Sequence, residues 1–278
     1  MTSSSTGILY VCATPIGNLS DCSTRLISTL KSVACIAAED TRVTQQLLRH
    51  FEFKTPLMSL QKFNEASRVD QIAGLLSEGK DVALVSDAGT PALSDPGALL
   101  VGGLIARGFR ISPVPGPSSI TTLLSVAGLP ADQFYFGGFF PRKEAEATTL
   151  LASLQTLQVP LCFLESPKRI VKTLGWLIEL YPTAKIVLGK ELTKTYEWFH
   201  HGTPASALEA LDTILVKGEW CFVASLPKQL SKDVHTIVSD LKSHGLSLSQ
   251  VVYVTQSLLG LPKNAVYNAF HEPGDITS

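Results

Sequence analysis

Five carboxylates, Asp40, Glu65, Asp87, Asp95 and Glu191, stand where apolar runs of this sequence give way to loops. A carboxylate fixed at such a place can take a proton from a weak oxygen nucleophile. Two of the five share one stretch, Val82–Gly97, which reads VALVSDAGTPALSDPG. It opens with the apolar run Val82–Val85, too short for a helix and typical of a strand covered on both faces. The run stops at Ser86-Asp87 and gives way to a loop with two glycines, two prolines and a second Ser-Asp pair. Polar, glycine-rich loops at the carboxyl ends of buried strands are where open α/β sheets bind ligands. The same loop reads equally well as a tight turn, with Asp95 near the start of a helix that carries Leu99, Leu100, Leu104 and Ile105.

The elements that must hold these residues follow one rhythm. Ile8–Ala13 predicts a strand ending in the turn cluster Thr14-Pro15-Ile16-Gly17-Asn18, and Leu26, Ile27, Leu30 and Val33 then recur at helical spacing. Val33–Ala38 is a second strand, ending in Glu39-Asp40-Thr41-Arg42, before a helix carrying Val43, Leu47, Leu48 and Phe51. Leu57–Leu60 predicts a third strand, and Val69, Ile72, Leu75 and Leu76 mark a helix closed by Gly79. After Val82–Gly97 and its helix comes a strand at Phe109–Val114. Strand, polar loop and helix in repetition predict an α/β domain with a mainly parallel sheet.

Pro113-Val114-Pro115-Gly116-Pro117 predicts a stiff connection, with Ser118 as the N-cap of a helix Ile120–Ala127 and a domain junction at this point. A second α/β half follows. Its predicted strands are Phe134–Phe140, Pro160–Leu164, Ile186–Leu188 and Trp220–Ser225, and its helices are Leu150–Leu157, Ile170–Leu180 and Ala205–Leu215. From about Lys228 the pattern becomes helical: Val234–Leu241 stopped at Gly245, then Val251–Leu259 and Ala265–Phe270 around Gly260-Leu261-Pro262. The divisions are therefore 1–117, 118–227 and 228–278. A small helical cap suits the tail better than a DNA-reading helix-turn-helix, because its last helix carries few basic residues.

The chain has 278 residues, 45% of them hydrophobic, and a formal net charge of −1. No global basic footprint exists, so contact with nucleic acid requires a local cluster. Arg42, Arg68, Arg142, Lys143, Lys168, Arg169 and Lys194 lie at or near loop ends and supply candidates, although each alone is ordinary solvated charge. Glu39, Asp40 and Arg42 could equally form an internal ion-pair network. Five cysteines without CxxC spacing, four of them inside strand-like runs (Cys12, Cys35, Cys162 and Cys221), read as buried reduced thiols and point to the cytoplasm. His200-His201 lacks the spacing of a zinc site, and no metal is expected. MTSSSTG lacks the basic region of an export signal, and no apolar stretch approaches the roughly 20 residues of a spanning helix.

The strand ends taken in order carry a resemblance: ATPIGNL (13–19), AAEDTR (37–42), VSDAGTPALSDPG (85–97), PVPGPSS (113–119), GFFPRK (138–143), ESPKR (165–169), KELTK (190–194) and KGEW (217–220). The set resembles the bacterial small-subunit ribosomal RNA 2′-O-ribose methyltransferases of the tetrapyrrole methylase superfamily. That resemblance implies two α/β domains with S-adenosylmethionine in the cleft between them, a homodimer, and a target in the decoding region of 16S ribosomal RNA within the 30S subunit. The implied acceptor is the ribose of a cytidine, 1402 in the usual bacterial numbering. It further implies donor-pocket roles for Pro15, Ser86, Asp87, Ala88, Gly89, Thr90, Ser118, Ser119, Leu164, Glu165, Leu192, Glu219 and Trp220, with the first Ser-Asp pair favoured over Asp95 as the ligand contact. Phe63, Phe139 or Phe140 could stack on a flipped-out base, although core packing is the more ordinary role of each, and Asp40, Glu65 and Asp87 are candidates for a general base with none singled out. One departure stands out. The family usually carries histidine before Asn-Glu, where this chain has Gln61-Lys62-Phe63 ahead of Asn64-Glu65. The same fold acting on a small tetrapyrrole-like acceptor, and a non-catalytic RNA-binding module, are the other readings that the sequence leaves open.

Overall fold

The computed structural model describes residues 6–228, 234–259 and 263–271, and the chain divides into two units, Met1–Pro227 and Lys228–Ser278. The first unit begins with β1 (Ile8–Cys12), α1 (Thr24–Ser32), β2 (Cys35–Ala38), α2 (Thr41–His50), β3 (Leu57–Ser59), α3 (Glu65–Ser77), β4 (Val82–Val85), α4 (Ala98–Ile105) and β5 (Arg110–Val114). It continues with α5 (Ser119–Ser125), β6 (Tyr135–Phe139), α6 (Glu144–Gln155), β7 (Leu161–Glu165), α7 (Ile170–Leu180), β8 (Lys185–Lys190), β9 (Trp198–Gly202), α8 (Pro204–Leu211) and β10 (Trp220–Ser225).

The first sheet runs β3-β2-β4-β1-β5, parallel throughout. β4 lies at its centre because it is apolar on both faces. Val82 and Leu84 pack with Val69, Ile72, Leu76, Leu100 and Leu104 of α3 and α4. Ala83 and Val85 meet Leu26, Leu30, Leu47 and Leu48 of α1 and α2 on the other side. Full burial of each such aliphatic side chain contributes about 1.5–3 kcal/mol.

The turn from β4 into α4 depends on a residue from elsewhere in the chain. Gly97 precedes α4 with φ 132° and offers no capping side chain. Glu65, 4% exposed, accepts hydrogen bonds through Oε1 from Gly97 N at 3.0 Å and Leu100 N at 2.9 Å. This corrects two expectations at once. Glu65 is the cap of α4 and not a general base, and Asp95 does not cap that helix.

The second sheet runs β6-β7-β10-β8-β9, and only β6 and β7 pair in parallel. β9 has no apolar run: Trp198-Phe199-His200-His201-Gly202 alternates weakly, and the sequence pattern passed over it. The core of this half centres on Phe140, Phe163 and Phe222, whose ring centroids stand 5.1–5.4 Å apart. Phe140, 1% exposed, is thus unavailable for stacking on a base. The chain changes sheets along Pro113–Ser118, since Ile120, Leu123 and Leu124 of α5 pack against Cys162, Val187, Cys221 and Val223 of the second sheet.

The second unit contains α9 (Val234–Ser243), α10 (Leu248–Leu259) and α11 (Lys263–His271), which converge on Val238, Val251 and Val266. The predicted turn at Gly260–Pro262 and the amino-terminal residues 1–5 lie outside the described residues. Among the described residues, no helix is long and apolar enough to cross a membrane, and no group of His, Cys, Asp or Glu is arranged to hold a metal ion.

Two outcomes follow from this packing. Glu65→Ala strands two N–H groups at the buried start of α4 and should cost about 2–4 kcal/mol in urea unfolding, whereas Glu65→Gln, which keeps an acceptor oxygen, should cost less. Burial pushes the thiols of Cys12, Cys162 and Cys221 up from 9.0 to about 12. A raised folded pKa means that the stability is whole below pH 9 and is lost as pH climbs toward 12. Melting temperature should therefore fall progressively above pH 9, and a thiol reagent at pH 8 should label these three only on unfolding.

Candidate functional site

A cavity of about 590 Å³ opens at the carboxyl ends of the first sheet and is closed by the second. Ile16 follows β1, and Ala88, Gly89, Thr90, Leu93 and Asp95 come from the loop after β4. Ser118, Ser119, Ile120 and Thr121 enter with α5. The second half contributes Phe134, Phe136, Phe139, Leu164, Glu165, Ser166, Pro167, Leu192 and Gly218–Cys221. Of the expected donor positions, all but Pro15, Ser86 and Asp87 line this one space.

Those three are not part of its lining. Ser86 is buried, and its hydroxyl donates to Gly89 O at 3.3 Å. Asp87 Oδ1 accepts from Asp40 N at 2.9 Å, tying the end of β4 to the end of β2. Pro15 follows Thr14, which exchanges backbone hydrogen bonds with Gly89 at 2.9 and 3.1 Å. The favoured Ser-Asp pair therefore shapes the loop, and it is the second pair that presents its carboxylate: Asp95 lines the cavity. Burial raises the Asp95 carboxyl above its ordinary 3.8; the Ser86 hydroxyl and Lys62 oppose that shift and the Asp87 charge adds to it.

The backbone of this loop is strained where it borders the cavity. Ala92 and Ser94 hold φ of 67° and 71°, and Gly89 one of 79°. Non-glycine residues in that region cost of order 1–3 kcal/mol each and persist where the surroundings impose them. Glu191 and Thr193, at 50° and 66°, do the same on either side of the cavity residue Leu192.

Other candidate carboxylates are engaged elsewhere. Asp40 caps α2 by accepting from Arg42 N at 2.8 Å, and the Arg42 guanidinium holds it at about 2. Burial acts to raise Glu191, but the Glu219 N–H at 2.8 Å and Lys194 at 2.9 Å outweigh it and lower its pKa. Neither lines the cavity.

The candidate basic patch divides in the same way. Arg169 is a correction: it donates to both oxygens of buried Glu165 at 2.8 Å and to Phe140 O at 2.6 Å. Lys194 bridges Glu191 and Glu219 at 2.9 and 3.1 Å. Arg68 donates to Ser59 O at 3.1 Å, Arg42 pairs with Asp40, and exposed Lys143 pairs with Glu146 at 3.0 Å. Arg142 and Lys168 are exposed without an ion-pair partner among the described residues.

The sequence missed most of the aromatic wall. Alternation puts Phe134 and Phe136 toward the cavity and Tyr135 toward the core. The pairing of β6 with β7 then slips between Phe136 and Phe139, with Gly138 at φ 67°. Such a bulge reverses the alternation, so Phe139, 62% exposed, joins the cavity while Phe140 enters the core. Phe63, 85% exposed, sits in the loop that departs from the family pattern. Asn64 Oδ1 closes that loop by accepting from Gln61 N at 2.8 Å.

An open pocket at strand ends, bridged by a second mixed sheet, has counterparts. A model of the family described as tetrapyrrole (corrin/porphyrin) methylases matches residues 8–207. The chain belongs to the tetrapyrrole methylase family. Along 270 residues this methylase is 40% identical to a Neisseria meningitidis serogroup B protein named ribosomal RNA small subunit methyltransferase I, with 94% of this chain and 92% of the relative covered. A Bacillus subtilis (strain 168) protein of the same name is 36% identical, over 95% of this chain and 94% of its own. Among solved structures, the cobalt precorrin-4 methyltransferase CbiF matches with a TM-score of 0.60 at 19% identity, covering 81% of this methylase and 97% of that chain. A uroporphyrin-III C-methyltransferase from Thermus thermophilus, complexed with S-adenyl homocysteine, matches at 0.55 and 18%, covering 79% and 97%. These two share the fold of this methylase.

Arg169→Ala would leave buried Glu165 without its cation, with Ser166 N and the Thr173 hydroxyl as its remaining donors. The substitution should destabilise the methylase by about 3–5 kcal/mol in denaturant unfolding, whereas charge removal at Lys168 should change stability by less than about 0.5 kcal/mol.

Proposed function

We propose that this methylase binds S-adenosylmethionine in the cavity and transfers its methyl group to the 2′-oxygen of a cytidine ribose, position 1402 in the usual bacterial numbering, in the 16S RNA of the small ribosomal subunit. The observation that carries the reading is the makeup of the cavity, walled by strand ends from both sheets. Small residues at Ala88–Thr90 allow close backbone approach, the Ser118 and Ser119 side chains add hydroxyls, and Phe134, Phe136, Leu164, Leu192 and Trp220 supply apolar walls. This mixture suits a nucleoside joined to an amino acid, and the volume lies within the ordinary range for such ligands. The full-length likeness to relatives named for methylation of small-subunit ribosomal RNA favours RNA over a small tetrapyrrole as acceptor.

When bound, S-adenosylmethionine supplies a methyl group on a positively charged sulfur. The chain's own residues align the acceptor and exclude water, which is where much of the acceleration of an in-line displacement originates. Phe139 stands at the cavity with more than half its surface free, in reach of a base taken out of its stack. Arg142, three residues beyond it, and Lys168, next to the cavity residue Pro167, have no ion-pair partner among the described residues and are available to backbone phosphate. A homodimer acting in the cytoplasm on the assembled 30S subunit completes the reading.

The test incubates the protein with labelled donor and 30S subunits from cells that lack this methylation, then analyses nucleosides. Label should appear in 2′-O-methylcytidine; label on a base, or none, overturns the assignment. Charge reversal at Arg142 and Lys168 should weaken subunit binding and flatten its salt dependence by about 0.7 in slope for each phosphate no longer neutralised, while donor affinity is unchanged.

A further inference from the structure

A polar stripe on α2 has no part in the cavity. Arg42, Gln45, Gln46 and Arg49 recur at the i, i+3, i+4, i+7 spacing, so they share one face of the helix. Thr44, Leu47 and Leu48 are buried on the opposite face. With Thr41 and Leu57, the four line a surface groove of about 500 Å³. Leu57 opens β3, an edge strand of the first sheet, so the groove runs between that edge and the helix.

Little holds these side chains. Arg42 pairs through Nε and Nη2 with Asp40, yet its side chain is 87% exposed and its Nη1 has no partner among the described residues. Gln45, Gln46 and Arg49 make no side-chain hydrogen bond or ion pair among the described residues. No carboxylate lines the groove. Solvated helix faces ordinarily mix both signs of charge, whereas this one sets out guanidiniums and carboxamides alone. Arg49 in the last turn also suits the helix dipole, but that accounts for neither the glutamines nor the groove.

The place of the stripe matters as much as its makeup. α2 starts directly after β2, at the carboxyl edge of the first sheet. Its N-cap Asp40 donates its N–H to Asp87 Oδ1 at the end of β4, and the loop after β4 walls the cavity. One end of the stripe is therefore tied to the cavity wall. The other end, at Arg49, lies about 10 Å farther along the helix axis. Arg142 and Lys168 stand on loops of the second sheet, so the two sheets each offer cations beside the cavity.

We propose that the groove along α2 receives the sugar–phosphate backbone of the acceptor RNA on one side of the methylated nucleotide. The inference rests on the RNA acceptor assigned above. Guanidiniums take phosphate oxygens through paired N–H groups. Carboxamides carry both donors and acceptors, which suits the 2′-hydroxyls and base edges of an unpaired strand. An acidic peptide would engage the arginines and leave the glutamine acceptors idle. The strand is thus held from both sheets, with its reacting ribose between them.

The test uses the intact protein and 30S subunits. Arg49→Glu should raise KM for the subunit roughly tenfold and leave kcat within about twofold, because the groove acts in binding alone. The slope of log affinity against log salt should flatten by at least about 0.7. That loss should add to the loss from charge reversal at Arg142 and Lys168, which act at a separate place. Arg49→Lys should keep most of the affinity, and Gln45→Ala with Gln46→Ala should weaken binding without changing the slope. Affinity for S-adenosylhomocysteine and the urea midpoint should stay close to wild type in every variant. Benzoylphenylalanine in place of Gln46 should, on irradiation, attach to 16S RNA within a few nucleotides of the methylated cytidine. Unchanged KM and salt slope in Arg49→Glu overturn the proposal. A crosslink confined to a ribosomal protein, or to a second copy of this chain, overturns it as well. A wild type that binds donor yet methylates no RNA marks failure of the functional reading itself. A wild type that methylates 30S subunits, matched in KM by Arg49→Glu, marks failure of the groove alone.

Discussion

Much of this molecule depends on one buried carboxylate that takes no part in chemistry. Glu65 begins α3 and reaches beneath α4, where it holds two backbone N–H groups that nothing else satisfies. A carboxyl group at that depth is tolerable only because donors face it, and the donors are in position only because the carboxyl group is there. The bond fixes where α4 starts, and hence where the loop from β4 must end. With its other end tied to Thr14, the loop has little freedom left, and the left-handed residues Ala92 and Ser94 record the constraint.

The first sheet was legible because its central strands β2 and β4 are apolar on both faces and its helices carry plain periodicity. Pairing direction in the second sheet was not, because the period of a strand is two whether its neighbour is parallel or antiparallel. β9 escaped for a different reason: its Trp198, Phe199, His200 and His201 give no alternation of apolar and polar. Within the site, the strand-end positions were readable but the roles of their carboxylates were not. Asp87 and Asp95 both follow serine in glycine- and proline-rich sequence, and only the tertiary surroundings distinguish them. Asp87 meets the amide of Asp40, and Asp95 borders the cavity.

The basic residues tell a similar story about charge. Seven lysines and arginines were candidates for phosphate, yet Arg169 and Lys194 are held by carboxylates of the site itself. They brace the walls against each other. Arg142 and Lys168, on the two loops that end β6 and β7, have no such carboxylate partner among the described residues.

The slip in β6 has a consequence for how this protein can change over time. The bulge takes up one extra residue, so that Phe139 stays on the face of Phe136 and Phe140 fills the core. Loss of one glycine, Gly137 or Gly138, would restore a regular ladder and leave both phenylalanines on their faces. Loss of both would exchange them, driving Phe140 outward and forcing Phe139 among Phe163 and Phe222. Parity, not length, is what the second core defends at this point, and selection on stability alone would keep the aromatic wall facing as it does.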